Sequence, residues 1–290
     1  MSKSTEIIRF DWAAKGLLRD KANFDILKGL VSTILDQPIH IIELLESESN
    51  QRFPNDKFNR VDIKAKDQKG DIILIEIQLT RELYFLQRIL FGVAKTITDH
   101  LSLSQRYENV KKVYSINILY FDFGKGSDYL YHGQNSLIGV NTGDMLLVNA
   151  KEKNCIKIVG AEAILPEYYL LRINQFNSNG NLPVEQWMRY LKDGTIDPDT
   201  NVPGLVQAAE RLAYLKMSRE EQKAYEAYID DLRYEWDVID TAKYDGRLEG
   251  LEEGAKTTNL QNAKKMKDLG VDSKIISQVT SLSAEDIQRL

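Results

Sequence analysis

Arg60-Val-Asp-Ile-Lys-Ala-Lys-Asp-Gln-Lys-Gly-Asp-Ile-Ile-Leu-Ile-Glu-Ile-Gln78 is the stretch on which the fold of this chain turns. Two runs with a two-residue period flank Gln68-Lys69-Gly70, and a three-residue loop ending in a left-handed glycine is a common hairpin connection. Pairing Asp67 with Asp71 then places Asp62 opposite Glu76 and Arg60 opposite Gln78. Side chains alternate across a strand, so Val61, Ile63, Ala65, Ile73, Ile75, Ile77 and Leu79 share one face and form the buried side. The other face carries Asp62, Lys64, Glu76 and Gln78.

Two carboxylates opposite one another on neighbouring strands repel, which calls for a compensating charge. A divalent cation is one answer, because hard metals take carboxylate and carbonyl oxygens. Asp62, Glu76 and the backbone carbonyl of Ile77 supply three such oxygens, and Gln78, on the face of Glu76, is placed to orient a metal-bound water. The bland alternative is a solvated hairpin face on which Lys64 neutralises Glu76 for a few tenths of a kcal/mol.

Outward from the hairpin, residues 22–35 repeat apolar side chains at helical spacing (Phe24, Leu27, Leu30, Val31, Ile34) up to Pro38, and 39–45 read as a short strand. Residues 46–59 are polar, with Pro54, and read as a loop. Downstream, 81–103 read as a long helix with Leu83, Leu86, Leu90, Val93, Ile97 and Leu101 apolar and Arg81, Arg88 and Lys95 polar. A strand over 113–123 follows, then weaker strands near 128–132, 137–141, 145–149 and 155–165. From Pro183 the text turns helical, over 184–191, 204–216 and 218–253, so a boundary near residue 180 separates a mixed-sheet region, 1–180, from a helical C-terminal region, 181–290. Gly246, Gly250 and Gly254 form a stripe that favours a frayed helix. Beyond a helix over 260–269, Gly270 reads as a stop and Asp272 and Ser283 as caps of two short closing helices, a small interaction or oligomerisation element rather than a DNA reader.

Composition narrows the class. The 290 residues are 43% hydrophobic and 28% charged, near ordinary soluble proteins, which excludes disordered and fibrous readings. With 38 Lys and Arg against 43 Asp and Glu, the net charge is −5, so nucleic-acid binding must rest on a local basic patch. The single cysteine, Cys155, excludes a disulfide framework and fits a small core residue; His40, His100 and His132 lack metal-ligand spacing. No secretory h-region precedes Asp11 and no apolar run approaches a membrane span, so a cytoplasmic protein without membrane partners is the expectation.

Asp62, followed by Glu76-Ile77-Gln78, resembles the PD-(D/E)XK nuclease motif, with Val61 in place of the proline and Gln78 in place of the lysine. The segments 19–28, 60–70 and 73–78, and then Arg88, resemble the recombination-promoting nuclease (Rpn), transposase-like, family, in which the catalytic glutamate is commonly followed by a hydrophobic residue and glutamine. The resemblance covers 16–125 well, 155–176 loosely, and the Gly-Leu-Glu-Glu-Gly254 run with the closing helices. It implies an α/β, restriction-endonuclease-like mixed β-sheet flanked by helices and a Mg2+-dependent (or Mn2+-dependent) endonuclease that hydrolyses DNA phosphodiesters. Asp62, Glu76 and Gln78 are then the catalytic residues, Asp62, Glu76 and the Ile77 carbonyl the metal ligands, and Asp20, ahead of Asp25, a further acidic ligand; either aspartate equally suits a helix N-terminus. Lys64 and Arg88 are the residues implied to meet phosphate, and Arg88 alternatively reads as a salt-bridged helix residue. Glutamine carries no charge and is no base, so what a lysine does in related nucleases falls to the metal or to Lys64, and a slow or inactive enzyme acting in DNA binding or assembly is the alternative.

Overall fold

In the computed structural model, the described residues are 7–15, 18, 20–45, 62–100, 106–107, 110–152 and 155–290. The expectations for the N-terminal leader, the 46–59 loop, Arg60, Val61, Leu101 and the Cys155 side chain fall outside them. The hairpin forms as the turn chemistry dictates. Strands β2 (Ile63–Asp67) and β3 (Ile72–Gln78) pair antiparallel with Ile63 opposite Ile75 and Ala65 opposite Ile73, the register expected from Asp67 and Asp71. Asp67 Oδ1 accepts from the Lys69 and Asp71 amides at 2.8 and 2.9 Å, and Gly70 has φ +84°.

A mixed six-stranded sheet grows from this hairpin in the order β1-β2-β3-β4-β8-β5. Its members are β1 (Ile41–Leu44), β4 (Val113–Leu119), β5 (Leu130–Gly133) and β8 (Glu167–Arg172), with β3, β4 and β8 parallel at the centre. Strands buried in the centre of a parallel sheet read as continuous apolar runs. For that reason β8, Glu-Tyr-Tyr-Leu-Leu-Arg, gave no alternation and was not among the expected strands. The same geometry extends the expectation for the hairpin faces: the odd residues Ile73 and Ile75 are buried, and so are Ile72, Leu74, Lys64 and Glu76 on the even face.

Helix α3 (Phe85–Asp99) covers that even face. Val93 packs with Ile72, Leu74 and Val113, and Phe85 and Ile89 with Leu119 and Phe121. The stripe that faces in is Phe85-Ile89-Val93-Thr96, whereas Leu86 and Leu90, among the apolar positions of the helix, are 52% and 59% exposed. The helix is apolar around more than one face, so periodicity alone could not select the side that the aromatic pocket of Leu119 and Phe121 selects.

The opposite face of the sheet meets the layer of α2 (Phe24–Ile34) and α4 (Pro183–Asp193), where Gln37 Nε2 donates to Tyr114 Oη at 3.4 Å and Tyr120 Oη to the Leu191 carbonyl at 2.6 Å. The N-terminal helix α1 (Phe10–Lys15) sets Phe10 edge-on against Trp187 and Tyr190 of α4. Gly29 of α2 touches the backbone of Pro203 and Gly204, just ahead of α5 (Leu205–Arg211). These contacts bind 183–211 to the sheet, so the chain divides into compact units at 222/223 rather than at the composition change near 180. Between β5 and β8 an arm rises, with an isolated bridge from Ile138 to Met145 and a separate two-stranded sheet of β6 (Leu147–Glu152) and β7 (Cys155–Gly160).

Helix α6 runs from Arg219 to Asp268, through all three stripe glycines, instead of fraying there. In the second unit, 223–290, its end packs with α7 (Ser273–Thr280) and α8 (Ala284–Arg289) around Ala263, Ile276 and Ile287. Gly270 adopts φ +77°, Asp272 caps α7 through the Lys274 amide, and Ser283 caps α8 through the Asp286 amide, as the sequence indicates. Among the described residues no helix is long and apolar enough to cross a membrane.

Candidate active site

The hairpin brings Asp62 and β3 together beyond the last ladder pair. Asp62 Oδ2 accepts the Ile77 amide hydrogen at 2.7 Å, so the carboxylate is held at the strand between Glu76 and Gln78. A strand residue directs its N–H and C=O to the same neighbour. The Ile77 carbonyl therefore turns to the Asp62 side, while the Gln78 carbonyl on the other side accepts from the Tyr120 amide at 2.9 Å.

Glu76 is 4% exposed beneath α3. Burial pushes its carboxyl above the ordinary range; Arg88 pulls it back, and Asp62 and Glu82 push it up again. Arg88 of α3 is the cation that meets Glu76. Its Nη2 donates to Glu76 Oε2 at 3.2 Å, and its Nη1 donates to Gln78 Oε1 at 3.0 Å and to Glu82 Oε2 at 2.7 Å. Gln78 is fixed from its other end, its Nε2 donating to the Thr80 carbonyl at 3.1 Å. The glutamine thus presents its oxygen to Arg88, and the positive charge absent from position 78 stands beside it on the helix.

The structure does not gather the remaining candidates here. Asp20 caps a short 3-10 turn, accepting from the Ala22 amide at 2.9 Å. Asp25 accepts from the Ile26 amide and pairs with Arg211 of α5 at 2.8 Å. Both take the helix-start role. Among the described residues no group of three or more His, Cys, Asp or Glu side chains gathers as a metal cluster. Lys64 is buried opposite Leu74 and near His100, at the C-terminal end of α3, whose pKa burial lowers and Lys64 lowers further.

Two residues went unmarked in the sequence. Glu82 precedes α3 at no diagnostic spacing and anchors Arg88. Asn117 stands beside Glu76 in the parallel register of β4, fully buried. Its Nδ2 donates to the Ser115 and Tyr169 carbonyls and to Ser115 Oγ, while its Oδ1 has no hydrogen-bond partner. An asparagine and a serine two residues apart in an otherwise apolar central strand were the available signal.

The donor set is all oxygen: two carboxylates, one backbone carbonyl and an orphaned amide oxygen nearby. That suits a hard divalent cation, which is commonly held by one or two carboxylates with waters completing the shell.

A mixed sheet flanked by helices, carrying an aspartate and a Glu-x-Gln across one hairpin, has the architecture of the PD-(D/E)XK nuclease fold. The family model for PD-(D/E)XK nuclease family transposases matches residues 8–244, and the chain belongs to that family. Nucleases of this class typically use divalent metals. No curated protein and no solved structure matches the chain.

Proposed function

We propose that this protein is a Mg2+-dependent endonuclease that hydrolyses DNA phosphodiesters, with Mn2+ able to substitute. The observation that supports the reading is the hydrogen bond from the Ile77 amide to Asp62, which holds that carboxylate at the strand beside the buried Glu76. Asp62, Glu76 and the Ile77 carbonyl are the residues that would hold the metal. When bound, the ion supplies a Lewis acid for the scissile phosphate and a water of lowered pKa.

The chain's own residues do the rest. The Ile77 N–H orients the Asp62 carboxylate. Gln78, neutral and fixed at both ends, positions Arg88 and a water rather than taking a proton. Arg88 offers a planar cation to a phosphate oxygen, and Glu82 holds it at the site until DNA arrives. Lys64 adds positive potential from the same face of the sheet. The second unit offers a further surface for self-association, narrower than 181–290 because α4 and α5 pack in the first: α6 leaves Tyr234, Trp236, Tyr244 and Leu251 exposed. A cytoplasmic setting suits a DNA substrate.

The test is nicking of supercoiled plasmid by wild type, Asp62→Asn and Glu76→Gln in EDTA, Mg2+ and Mn2+, with circular dichroism to verify folding. Metal-dependent nicking lost in both variants supports the reading. A folded wild type that shifts DNA on a gel but cuts in no metal replaces it with the DNA-binding or assembly function.

A further inference from the structure

We infer that the β-arm between β5 and β8 docks into the apolar groove beside α3 of a second copy of this chain, reciprocally, to form a two-fold dimer. The groove, about 620 Å3, runs between the outer side of α3 (Leu86, Leu90, Ile97) and strands β8 (Tyr168, Leu170) and β5 (Tyr131, His132) of the sheet. Its lining contains no Lys, Arg, Asp or Glu. Leu83, Tyr84 and Phe91 continue the apolar surface along α3.

The arm is its chemical complement. Leu137, Ile138, Val140, Met145, Leu146, Leu147 and Ile158 all lie exposed on it, Val140 to 99% and Ile158 to 69%. Residues 134–150 carry one charged side chain, Asp144, and Thr142 already donates to it. A two-stranded hairpin on its own is marginal in water, and exposed aliphatic edges without charged gatekeepers invite pairing. The arm's lysines, Lys151, Lys153 and Lys157, lie beyond this apolar stretch, and the groove offers no cation to a polyanion, so DNA is not its occupant.

Area and symmetry commit the occupant to a second copy. At roughly 80 Å2 for a half-exposed aliphatic side chain, the seven arm residues and the exposed Leu83, Tyr84, Leu86, Leu90 and Phe91 present on the order of 900 Å2 per copy. A reciprocal pair hides about twice that, within the ~1,200–2,000 Å2 of stable dimers. Asn135 and Pro166, where the arm leaves and rejoins the sheet, line the groove themselves, so arm and groove adjoin and a two-fold exchange closes on itself. Arg88 lies on the same helix as Leu86 and Leu90, so docking would also steady the helix that carries the site's cation.

The test uses full-length protein in a Cys155→Ser background. One tagged variant carries Leu90→Cys and a differently tagged one Leu146→Cys; they are mixed and treated with a short flexible bismaleimide. The expected product joins the two tags, and adding Val140→Glu to the Leu146→Cys chain lowers its yield about tenfold. Val140 is fully exposed, so that substitution leaves the fold unchanged. No mixed-tag product from the folded mixture, a product insensitive to Val140→Glu, or cross-linking only within a single chain bearing both cysteines overturns the proposal. None of these readouts depends on DNA or metal.

Discussion

Arg88→Leu leaves the buried Glu76 carboxylate without the guanidinium that faces it, and the structure sets the size of the loss. Breaking a fully buried ion pair costs about 3–5 kcal/mol. The Glu76 side chain is 6% exposed but that of Arg88 is 34% exposed, and an exposed pair is worth at most about 1 kcal/mol, so about 2 kcal/mol is expected here. For a unit of this size that lowers the Tm by roughly 4–8 °C. The loss depends on pH with a definite sign. Burial already holds the folded pKa of Glu76 above its ordinary 4.5, and removing Arg88 raises it further. Below 4.5 the carboxyl is protonated in the folded and unfolded chains alike, and the penalty is absent. As the pH rises from there to the folded pKa, the unfolded chain ionises first and stability falls. The gap between wild type and variant is therefore largest near pH 8 and closes near pH 4, in thermal melts followed by circular dichroism in EDTA. Adding Glu76→Leu recovers most of it, since an apolar side chain leaves no unpaired charge. A variant within about 1 °C of wild type at pH 8, or one equally destabilised at pH 4, refutes the account.

Mg2+ should raise the Tm of Arg88→Leu more than that of wild type, because the ion then becomes the main compensator of Glu76 and Asp62; an equal or smaller rise in calorimetric scans argues against metal at this pair. Gly29→Ala is expected to cost more than about 3 kcal/mol, since its Cβ would stand 2.2 Å from the Pro203 carbonyl oxygen, and a melt unchanged from wild type contradicts the α2–α5 approach. Gly250→Ala meets open space within a helix and should stabilise α6 by about 0.8–1 kcal/mol. If sedimentation instead shows loss of self-association, the glycine stripe is an interface. At Glu167, burial raises the pKa, but hydrogen bonds from Lys112, Tyr169 and His132 outweigh it and hold the carboxyl below its ordinary value. The stability it brings is present at neutral pH and lost as pH falls below 4.5, so Glu167→Gln should cost about 2 kcal/mol at pH 7 and markedly less at pH 3 in urea titrations.

How much could be read without the structure follows from the range of each interaction. The hairpin register, the caps at Asp272 and Ser283, the stop at Gly270 and the facing of Asp62 and Glu76 were all legible, because turn and cap chemistry act within a few residues. The acidic pair was legible for the same reason: one tight turn aligns residues fourteen positions apart. The inward face of α3, the third central strand β8 and the partners of Arg88 were not. Each is settled by what packs on it, and a helix apolar on several sides, or a strand buried on both, carries no periodicity that names its neighbour. Asp20 shows the converse, since the acidic residue that looked available near the first helix is used locally as a cap.

The sequence by itself determined a hairpin bearing two opposed carboxylates and a glutamine, because backbone sterics and two-residue alternation leave one register. Only the tertiary structure decided that Arg88, ten residues beyond Gln78 on a helix laid across the sheet, donates to both Gln78 and Glu76. It also decided that Glu76 is buried beneath that helix. Helix-on-sheet packing selects by shape among faces that the sequence leaves equivalent, and electrostatic partners separated along the chain meet only once that selection has been made.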